Sequence, residues 1–234
     1  MSTGAFDDVL STLDAERRAR RTVMSTTADR VAGQLREQVA EGHLRSGTKL
    51  PEERLAAALG VSRNTLREAL GQLVAERILV REAHRGVVVS TPDADDVRDV
   101  YAARLALEPG ALRQGEHAPA ARVAALRAAV EEGQAALEAG DHEAVGGANQ
   151  HFHHAVVALA GSDRLDAQMD LLLAEMRLFF HAMGDPRTFH EPYLAANAAI
   201  CDLAEAGRWS DAAEHLTTYL TDAREQLLGG FALT

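Results

Sequence analysis

The nine-residue stretch SRNTLREAL, at residues 62–70, constrains the fold of this chain more than any other. Ser62 is a favourable N-cap residue, and apolar residues follow it at the spacing of one buried helical face. Basic and polar side chains lie on the opposite face. A second helical pattern at residues 52–59 precedes this helix, and Gly60-Val61 supplies a tight turn between them. Two short helices joined by a Gly-containing turn, the second with outward-facing Arg and Asn, predict a helix-turn-helix.

The outward face of the second helix has side chains suited to DNA. Arg matches the acceptor edge of guanine and Asn that of adenine, so we expect Arg63, Asn64 and Arg67 to contact bases. The alternative is a solvated helix with ordinary surface charges, which this density of Arg and Asn makes the weaker interpretation. Hydroxyl and ammonium groups more often hold phosphates. That role is expected for Thr65, Thr48 and Lys49.

A hairpin is predicted directly after this helix. The runs at residues 78–81 and 86–90 favour strands, and the segment EAHR at 82–85 separates them. A hairpin that follows a recognition helix is a wing. Its tip has Arg85 beside Gly86, where the missing Cβ permits close approach of the backbone to a phosphate.

The rest of the chain is predicted to be helical, which makes the fold class mainly α. The segment TPD at residues 91–93 marks a domain boundary, and no convincing strand follows it. We therefore expect a tail at 1–24, a winged helix-turn-helix domain at 25–90 and an all-helical domain at 91–234, in which short loops favour an antiparallel bundle. Helices are predicted at 26–41 in the first domain and at 93–116, 119–138, 141–160, 163–183, 191–206 and 210–228 in the second.

The net charge of −11 conceals an uneven distribution. Residues 1–90 have a net charge of +2 and residues 91–234 a net charge of −13. Only the N-terminal part can therefore bind nucleic-acid phosphates, provided that its cations gather on one face. The basic cluster RRARR at residues 17–21 is either a solvated tail or an arm that touches DNA.

Composition also limits the compartment and the chemistry. The sequence has no run of 18 apolar residues, and its N-terminus has charges where a signal peptide needs an apolar segment, so we expect a cytoplasmic protein. Cys201 is the only cysteine, which excludes an intrachain disulfide and a thiolate zinc cluster within one chain. Its simplest role is that of a small buried apolar residue.

Several motifs match one family pattern. They are G-H-L at 42–44, Leu50 with Glu52, L-A at 55–56, L-G-V-S-R at 59–63, L-R-E-A-L at 66–70, R-G at 85–86, R-L-A-L-E at 104–108 and F-H at 152–153. In these motifs the chain resembles the FadR-like subgroup of the GntR family of bacterial transcription regulators, which has an all-helical FCD domain. The resemblance implies a homodimeric regulator rather than an enzyme. Such a protein would be a repressor released from a palindromic operator by a small-molecule effector.

Two positions depart from the family pattern on the DNA side. Thr65 stands where many members have Pro, although Thr also starts a helix well. Glu53 stands where some members have a DNA-contacting Arg, which leaves open whether Arg54 replaces that contact.

The helical domain offers a candidate effector site. An Arg directed into a bundle is costly unless it meets an anion, and Arg104 is therefore expected to clamp a carboxylate in a bidentate fork. A structural salt bridge with an acid of the bundle is the alternative role for Arg104. Arg177 is a second, weaker candidate for the effector site.

The family's metal ligands correspond to four positions of this chain, of which only His153 remains a strong ligand. The other three positions are Asn149, Asn197 and Tyr219. These side chains supply no anionic ligand at neutral pH, so we expect no resident metal cofactor and a site lined by hydrogen-bonding groups that suits an organic effector. A regulator of the same family that senses zinc or nickel is the alternative.

The remaining histidines have simpler explanations. His151 and His154 are expected to face solvent, because neighbouring residues of a helix point in different directions. A surface or packing role is expected for His181, His190 and His215, although these three could in principle rebuild a shifted metal site. A metal-dependent enzyme is a further alternative, but no general acid/base pair or ligand set has a recognisable spacing.

Overall fold

The computed structural model describes residues 26–40, 43–182 and 189–231. The basic cluster at 17–21 lies outside these residues. In the N-terminal part the order is three helices and then a hairpin, which confirms the predicted winged helix-turn-helix. The elements are α1 (Thr27–Ala40), α2 (Glu52–Leu59), α3 (Arg63–Ala75), β1 (Leu79–Glu82) and β2 (Gly86–Val89).

Local interactions fix the start of α3 as the sequence predicts. The hydroxyl of Ser62 accepts a hydrogen bond from the backbone N–H of Thr65 at 3.1 Å. Gly60 has φ 65°, a left-handed conformation that ends α2 without the strain a Cβ would add. The inward face of α3 is fully buried at Leu66, Ala69, Leu70 and Leu73.

Helix α3 continues beyond the stretch at 62–70 and ends at Ala75. The backbone N–H of Glu76 bonds to the carbonyl of Gln72, and Arg77 then adopts φ 56°, so the chain leaves the helix there. The strands form an antiparallel pair in which Leu79 faces Val89. Their observed bounds lie within one residue of the predicted ones.

In the described residues after the hairpin, six α-helices follow, as predicted. They are α4 (Ala94–Arg113), α5 (Ala120–Glu138), α6 (His142–Ala158), α7 (Asp163–Ala182), α8 (Glu191–Glu205) and α9 (Trp209–Phe231). The caps explain two of the starts: Asp93 forms a capping box with Asp96, and Asp141 accepts from the N–H of Ala144 at 3.0 Å. The largest differences at helix ends are three residues: α4 ends at 113 rather than 116, because residues 114–117 form a 3-10 turn, and α9 continues to 231 rather than 228.

The helical domain closes by contact between its first and last helices, α4 and α9. Helix α5 packs on α6, and α8 packs on α5, α6 and α9. Helix α7 takes part in two cores: Met176 and Phe179 lie in the core of the helical domain, and Leu178 lies in that of the winged helix. Within the described ranges, no helix combines the length and the apolar character needed to cross a membrane.

Candidate functional site

The outward face of α3 has its two arginines in ion pairs with the start of α2. Nη2 of Arg63 lies 2.5 Å from Oε1 of Glu53, and Nε of Arg67 lies 2.7 Å from Oε2 of Glu52. Asn64, between them in sequence, is exposed. Exposed ion pairs contribute little net free energy, so a phosphate or a base can replace the carboxylates.

The wing is anchored to the segment that precedes α2. Nη1 of Arg85 pairs with Glu82 at 2.7 Å, and its Nη2 lies 3.5 Å from the carbonyl oxygen of Gly47. Gly86 and His84 both have positive φ at the tip, 86° and 65°. Arg85, the predicted DNA contact of the wing, therefore lies close to Thr48 and Lys49, which are predicted to contact phosphates.

The other residues predicted to contact DNA differ in their exposure. Lys49 is exposed and forms an isolated antiparallel bridge with Val88, which holds it beside the wing, and Arg54 is exposed on α2. Thr48 is half-buried. The hydroxyl of Thr65 is half-buried and lies 2.8 Å from that of Ser62, so it also serves the helix start.

A buried polar network begins at Arg104 in α4. Its Nε donates to Oε1 of Glu108 at 2.5 Å, one turn later in the same helix. Its Nη1 lies 2.9 Å from Sδ of Met176 in α7, and the guanidinium lies 5.0 Å from the ring centroid of Tyr101. Both members of the ion pair are almost completely buried, so water cannot substitute for either partner.

The network continues through His153 of α6. Oε2 of Glu108 lies 2.7 Å from Nδ1 of His153, and Nε2 of that ring lies 3.0 Å from the hydroxyl of Tyr219 in α9. A carboxylate can only accept, so Nδ1 has the hydrogen and Nε2 of the neutral ring accepts from the Tyr219 hydroxyl. Both nitrogens of His153 therefore lie within hydrogen-bond distance of a side chain of the network.

Two amides complete the network. Nδ2 of Asn197 in α8 donates to Oδ1 of Asn149 at 2.8 Å, and that oxygen also lies 3.2 Å from the hydroxyl of Tyr219. Nδ2 of Asn149 lies 3.4 Å from Nδ1 of His190. The tyrosine hydroxyl has a single hydrogen, so it serves either His153 or Asn149 at one time.

Two polar atoms of this network have no hydrogen-bond partner among the described residues. They are Nη2 of Arg104, a donor, and Oδ1 of Asn197, an acceptor, and both are buried. Leaving such groups unmet costs about 1–3 kcal/mol each, and more for a charged group. A ligand with an acidic oxygen and a hydrogen-bond donor would satisfy both atoms.

Burial and charge together set the protonation states of the network. Burial alone would raise the pKa of Glu108, but Arg104 and His153 outweigh it and hold that pKa below its usual value. Burial lowers the pKa of His153 despite the neighbouring Glu108. Burial, with His153 and Arg104, lowers the pKa of His190 to about 4. The site at neutral pH therefore has one ion pair and two neutral imidazoles.

The structure brings together five of the six predicted effector-site residues. Arg104, Asn149, His153, Asn197 and Tyr219 all belong to the network, and the salt bridge left open as an alternative for Arg104 is present. Arg177 does not contact the network, because its Nε donates instead to Oε1 of Gln150 at 2.8 Å, and its role in effector binding stays a prediction.

Two network residues were not predicted to belong to the site, Glu108 and His190. The spacing of Arg104 and Glu108, one helical turn, was a signal available in the sequence. His190 has the packing role expected of it, against the ring of Phe180, and also contacts the network. Of the other histidines, His151 is exposed, His154 and His215 are half-buried, and the side chain of His181 lies outside the described residues.

These residues do not fit a divalent metal ion. The four positions that correspond to the family's ligands do converge, but they supply two amides, a phenol and an imidazole whose nitrogens are both engaged. Zinc sites use thiolates, imidazoles and carboxylates. In the described part of the chain, no three His, Cys, Asp or Glu residues are grouped closely enough to hold a metal. Cys201 is buried and unpaired.

A winged helix with an exposed basic helix, joined to a helical bundle with a buried polar site, is the architecture of a DNA-binding transcription regulator. The sequence matches the bacterial regulatory proteins of the gntR family over residues 27–89 and the FCD domain over residues 99–222. The chain therefore belongs to the GntR family, in the FadR-like subgroup with an FCD domain. These families consist of DNA-binding regulators, not enzymes.

Individual relatives agree with this assignment. The chain is 33% identical to the Nta operon transcriptional regulator of Aminobacter aminovorans over 70% of its own length and 78% of that protein's. It is 38% identical to the gluconate operon transcriptional repressor of Bacillus licheniformis over 36% and 34% of the two lengths. A solved structure of a GntR transcriptional regulator from Rhodococcus sp. RHA1 has 39% identity and a TM-score of 0.78, covering 86% of this chain and 97% of that one.

The matches differ in extent. The chain spans about a third of the length of the first two curated relatives that it matches, 33% and 34%. Those two similarities cover a third of this chain as well, 34% and 36% of its length.

Proposed function

We propose that this protein is a homodimeric repressor that leaves a palindromic operator when a small organic carboxylate binds its helical domain. The observation that supports the effector class is the buried Nη2 of Arg104, which has no partner within the described residues. A guanidinium donor that faces no acceptor favours a carboxylate oxygen. The unmet acceptor Oδ1 of Asn197 favours a hydroxyl or amino group on the same effector.

The proposed operator and oligomer follow from the size of the DNA-binding face. One winged helix places few side chains against base edges, so two copies on a two-fold symmetric site supply the specific affinity that one lacks. Repression is proposed because the relative from Bacillus licheniformis is named a repressor.

The site is closed, so ligand entry requires helix movement. Arg104, Glu108, His153 and Asn197 are all almost fully buried. A ligand that binds an opened arrangement more tightly than the closed one shifts the population toward the opened one. Operator release then requires that the opened arrangement bind the operator more weakly.

Helix α7 contacts both the proposed effector site and the segment that directly follows the recognition helix, α3. Nη1 of Arg104 contacts Sδ of Met176, and the preceding residue, Glu175, lies 3.8 Å from Nη1 of Arg77, just after the end of α3. Leu178 of the same helix is buried in the winged-helix core. A shift of α7 at the effector site is therefore expected to reach both the recognition helix and its core.

The test begins with an operator selected in vitro from random DNA. Release of that operator is then followed by fluorescence anisotropy with a panel of small hydroxy and amino carboxylates, each paired with its uncharged amide. We expect at least one acid to release the operator and its amide to fail. The Asn197→Ala variant should require a higher concentration of that acid. The proposal is overturned when the amides work as well as the acids, or when the variant responds like the wild type.

The metal-sensing alternative is separated from this proposal by metal analysis. We expect purified protein to have substoichiometric zinc and nickel, and we expect a chelator to leave operator affinity unchanged. Stoichiometric zinc whose removal changes operator affinity would favour the metal sensor instead.

A further inference from the structure

A cleft lies between the winged helix and the helical domain, separate from the buried network. Its volume is about 460 Å³, and its walls come from α1, α6, α7 and Glu76, which directly follows α3. Pockets for small molecules usually occupy roughly 300–1,000 Å³. The cleft is therefore large enough for a small organic ligand that touches both domains.

Helix α6 separates the cleft from the effector site. Asn149 and His153 face the network, whereas Gln150 and His154, one position later in each case, line the cleft. Residues four apart share a helical face, so the two pairs form two different surfaces. A ligand in the cleft would not occupy the network.

Among the charged side chains that line the cleft, Arg177 has no carboxylate partner in the described part of the chain. Arg36 makes two hydrogen bonds to Glu76, at 2.8 and 2.6 Å, and Asp170 lies 3.3 Å from Nε2 of His154. No carboxylate of the described residues lies within ion-pair distance of Arg177. A carboxylate of a ligand would therefore be the first anionic partner of this guanidinium.

The guanidinium of Arg177 is held in place for such a partner. Its Nε donates to Oε1 of Gln150, which is buried and whose Nε2 lies 3.4 Å from the carbonyl of Leu173. Burial lowers the pKa of Arg177, and Arg36 lowers it further, so the positive charge lies in an unfavourable environment that an anion would improve. Nη1 and Nη2 make no hydrogen bond to the described residues and can serve both oxygens of a carboxylate.

The same cleft has an apolar wall. Leu171, Leu173 and Ala174 of α7 line it beside Arg177. We propose that this cleft is a second ligand site, which takes a small organic monocarboxylate with an apolar body. Because its walls belong to both domains, a ligand bound there holds the winged helix and the bundle in their present arrangement.

Benzoate is a suitable probe, and benzamide is its uncharged counterpart. Isothermal titration calorimetry would compare wild type, Arg177→Gln and Asn197→Ala, with circular dichroism to show that each variant is folded. We expect the Arg177→Gln variant to bind benzoate at least about tenfold more weakly, since a charge-assisted pair is lost. Asn197→Ala should bind it like the wild type, and benzamide should bind every protein at least about tenfold more weakly than benzoate binds the wild type. Arg177→Lys keeps the positive charge but cannot donate two parallel hydrogen bonds to a carboxylate. Its affinity for benzoate should lie between those of the wild type and Arg177→Gln.

Three outcomes would overturn the proposal. The first is equal affinity of wild type and Arg177→Gln for benzoate, including no measurable binding to either. The second is loss of binding in Asn197→Ala alone, which would place the carboxylate in the network and support the proposed effector site. The third is a monomeric Arg177→Gln variant in sedimentation beside a dimeric wild type, which would identify the cleft as a surface covered by a second copy of the chain.

Discussion

The recognition helix and the helical domain both pair arginine with glutamate, but in opposite surroundings. On the DNA side, the side chains of Arg63 and Glu53 are 62% and 80% exposed. In the helical domain, those of Arg104 and Glu108 are 1% and 0% exposed. Solvent screens the first pair and can replace either partner, whereas removing one partner of the second leaves a charge buried without compensation.

Because the two ion pairs differ in exposure, they suit different roles in the protein. An exposed pair can exchange its carboxylate for a DNA phosphate or base at little cost. A buried pair keeps its geometry until the helices around it move, and therefore reports on the arrangement of those helices.

Replacing Glu108 by Gln should destabilise the fold strongly. The substitution leaves the Arg104 guanidinium buried without a carboxylate, which typically costs about 3–5 kcal/mol. The matched change on the exposed pair, Glu53→Gln, should alter the free energy of unfolding by less than about 1 kcal/mol. Denaturant unfolding measures both. Similar losses for the two variants would remove the distinction between the pairs.

The buried imidazoles should make stability depend on pH. The pKa of His190 is lowered from 6.5 to about 4, so between these values the unfolded chain binds a proton that the native protein does not. Stability therefore falls as pH decreases from 6.5 to 4, by about 3 kcal/mol for this residue alone. His190→Gln should show a shallower loss over this range in denaturant unfolding. An unchanged slope would show that His190 titrates normally in the native protein.

Removing Arg67 should weaken operator binding without affecting the helical domain. Loss of a base contact by an arginine costs about 1–3 kcal/mol, and the loss should be specific to the selected operator. Arg67→Ala should keep the oligomeric state and the thermal stability of the wild type. Electrophoretic mobility shift with the selected operator measures the effect. A normal shift would contradict the placement of α3 on DNA bases.

Releasing Arg63 from its carboxylate should have the smallest effect, in the opposite direction. Glu53→Gln removes a negative charge from the DNA-binding face and frees the guanidinium, so operator affinity should rise by an amount equivalent to about 0.2–1 kcal/mol. The gain should shrink as salt increases, because exposed charges are screened. Fluorescence anisotropy at two salt concentrations tests this. A lower affinity would mean that Glu53 positions Arg63 for DNA rather than competes for it.

Local interactions explain why the recognition helix could be predicted from the sequence. The N-cap at Ser62, the turn at Gly60 and the apolar spacing of residues 66–73 all act within one or two helical turns. The convergence of Asn149, His153, Asn197 and Tyr219 was also predictable, because these four positions correspond to the metal ligands of the family. In both cases the information lies in spacings along the chain.

The parts of the site that were not predicted depend on packing between helices that are far apart in the sequence. The contact of Glu108 with His153 joins residues 45 positions apart, and no spacing rule specifies which faces of α4 and α6 meet. The position of Arg177 outside the network could not be predicted for the same reason, because α7 contacts both domains. Its position became evident only with the packing of α7 between two cores.

Hydrogen exchange of the free and operator-bound protein can show whether the buried network and the recognition helix are linked through α7, as we claim. Coupling between sites is reciprocal, so this experiment requires no knowledge of the effector. We predict that operator binding changes exchange in α7 and in the turn of α4 that contains Arg104, while much of α5 stays unchanged. Changes confined to residues 27–89 would contradict the claim.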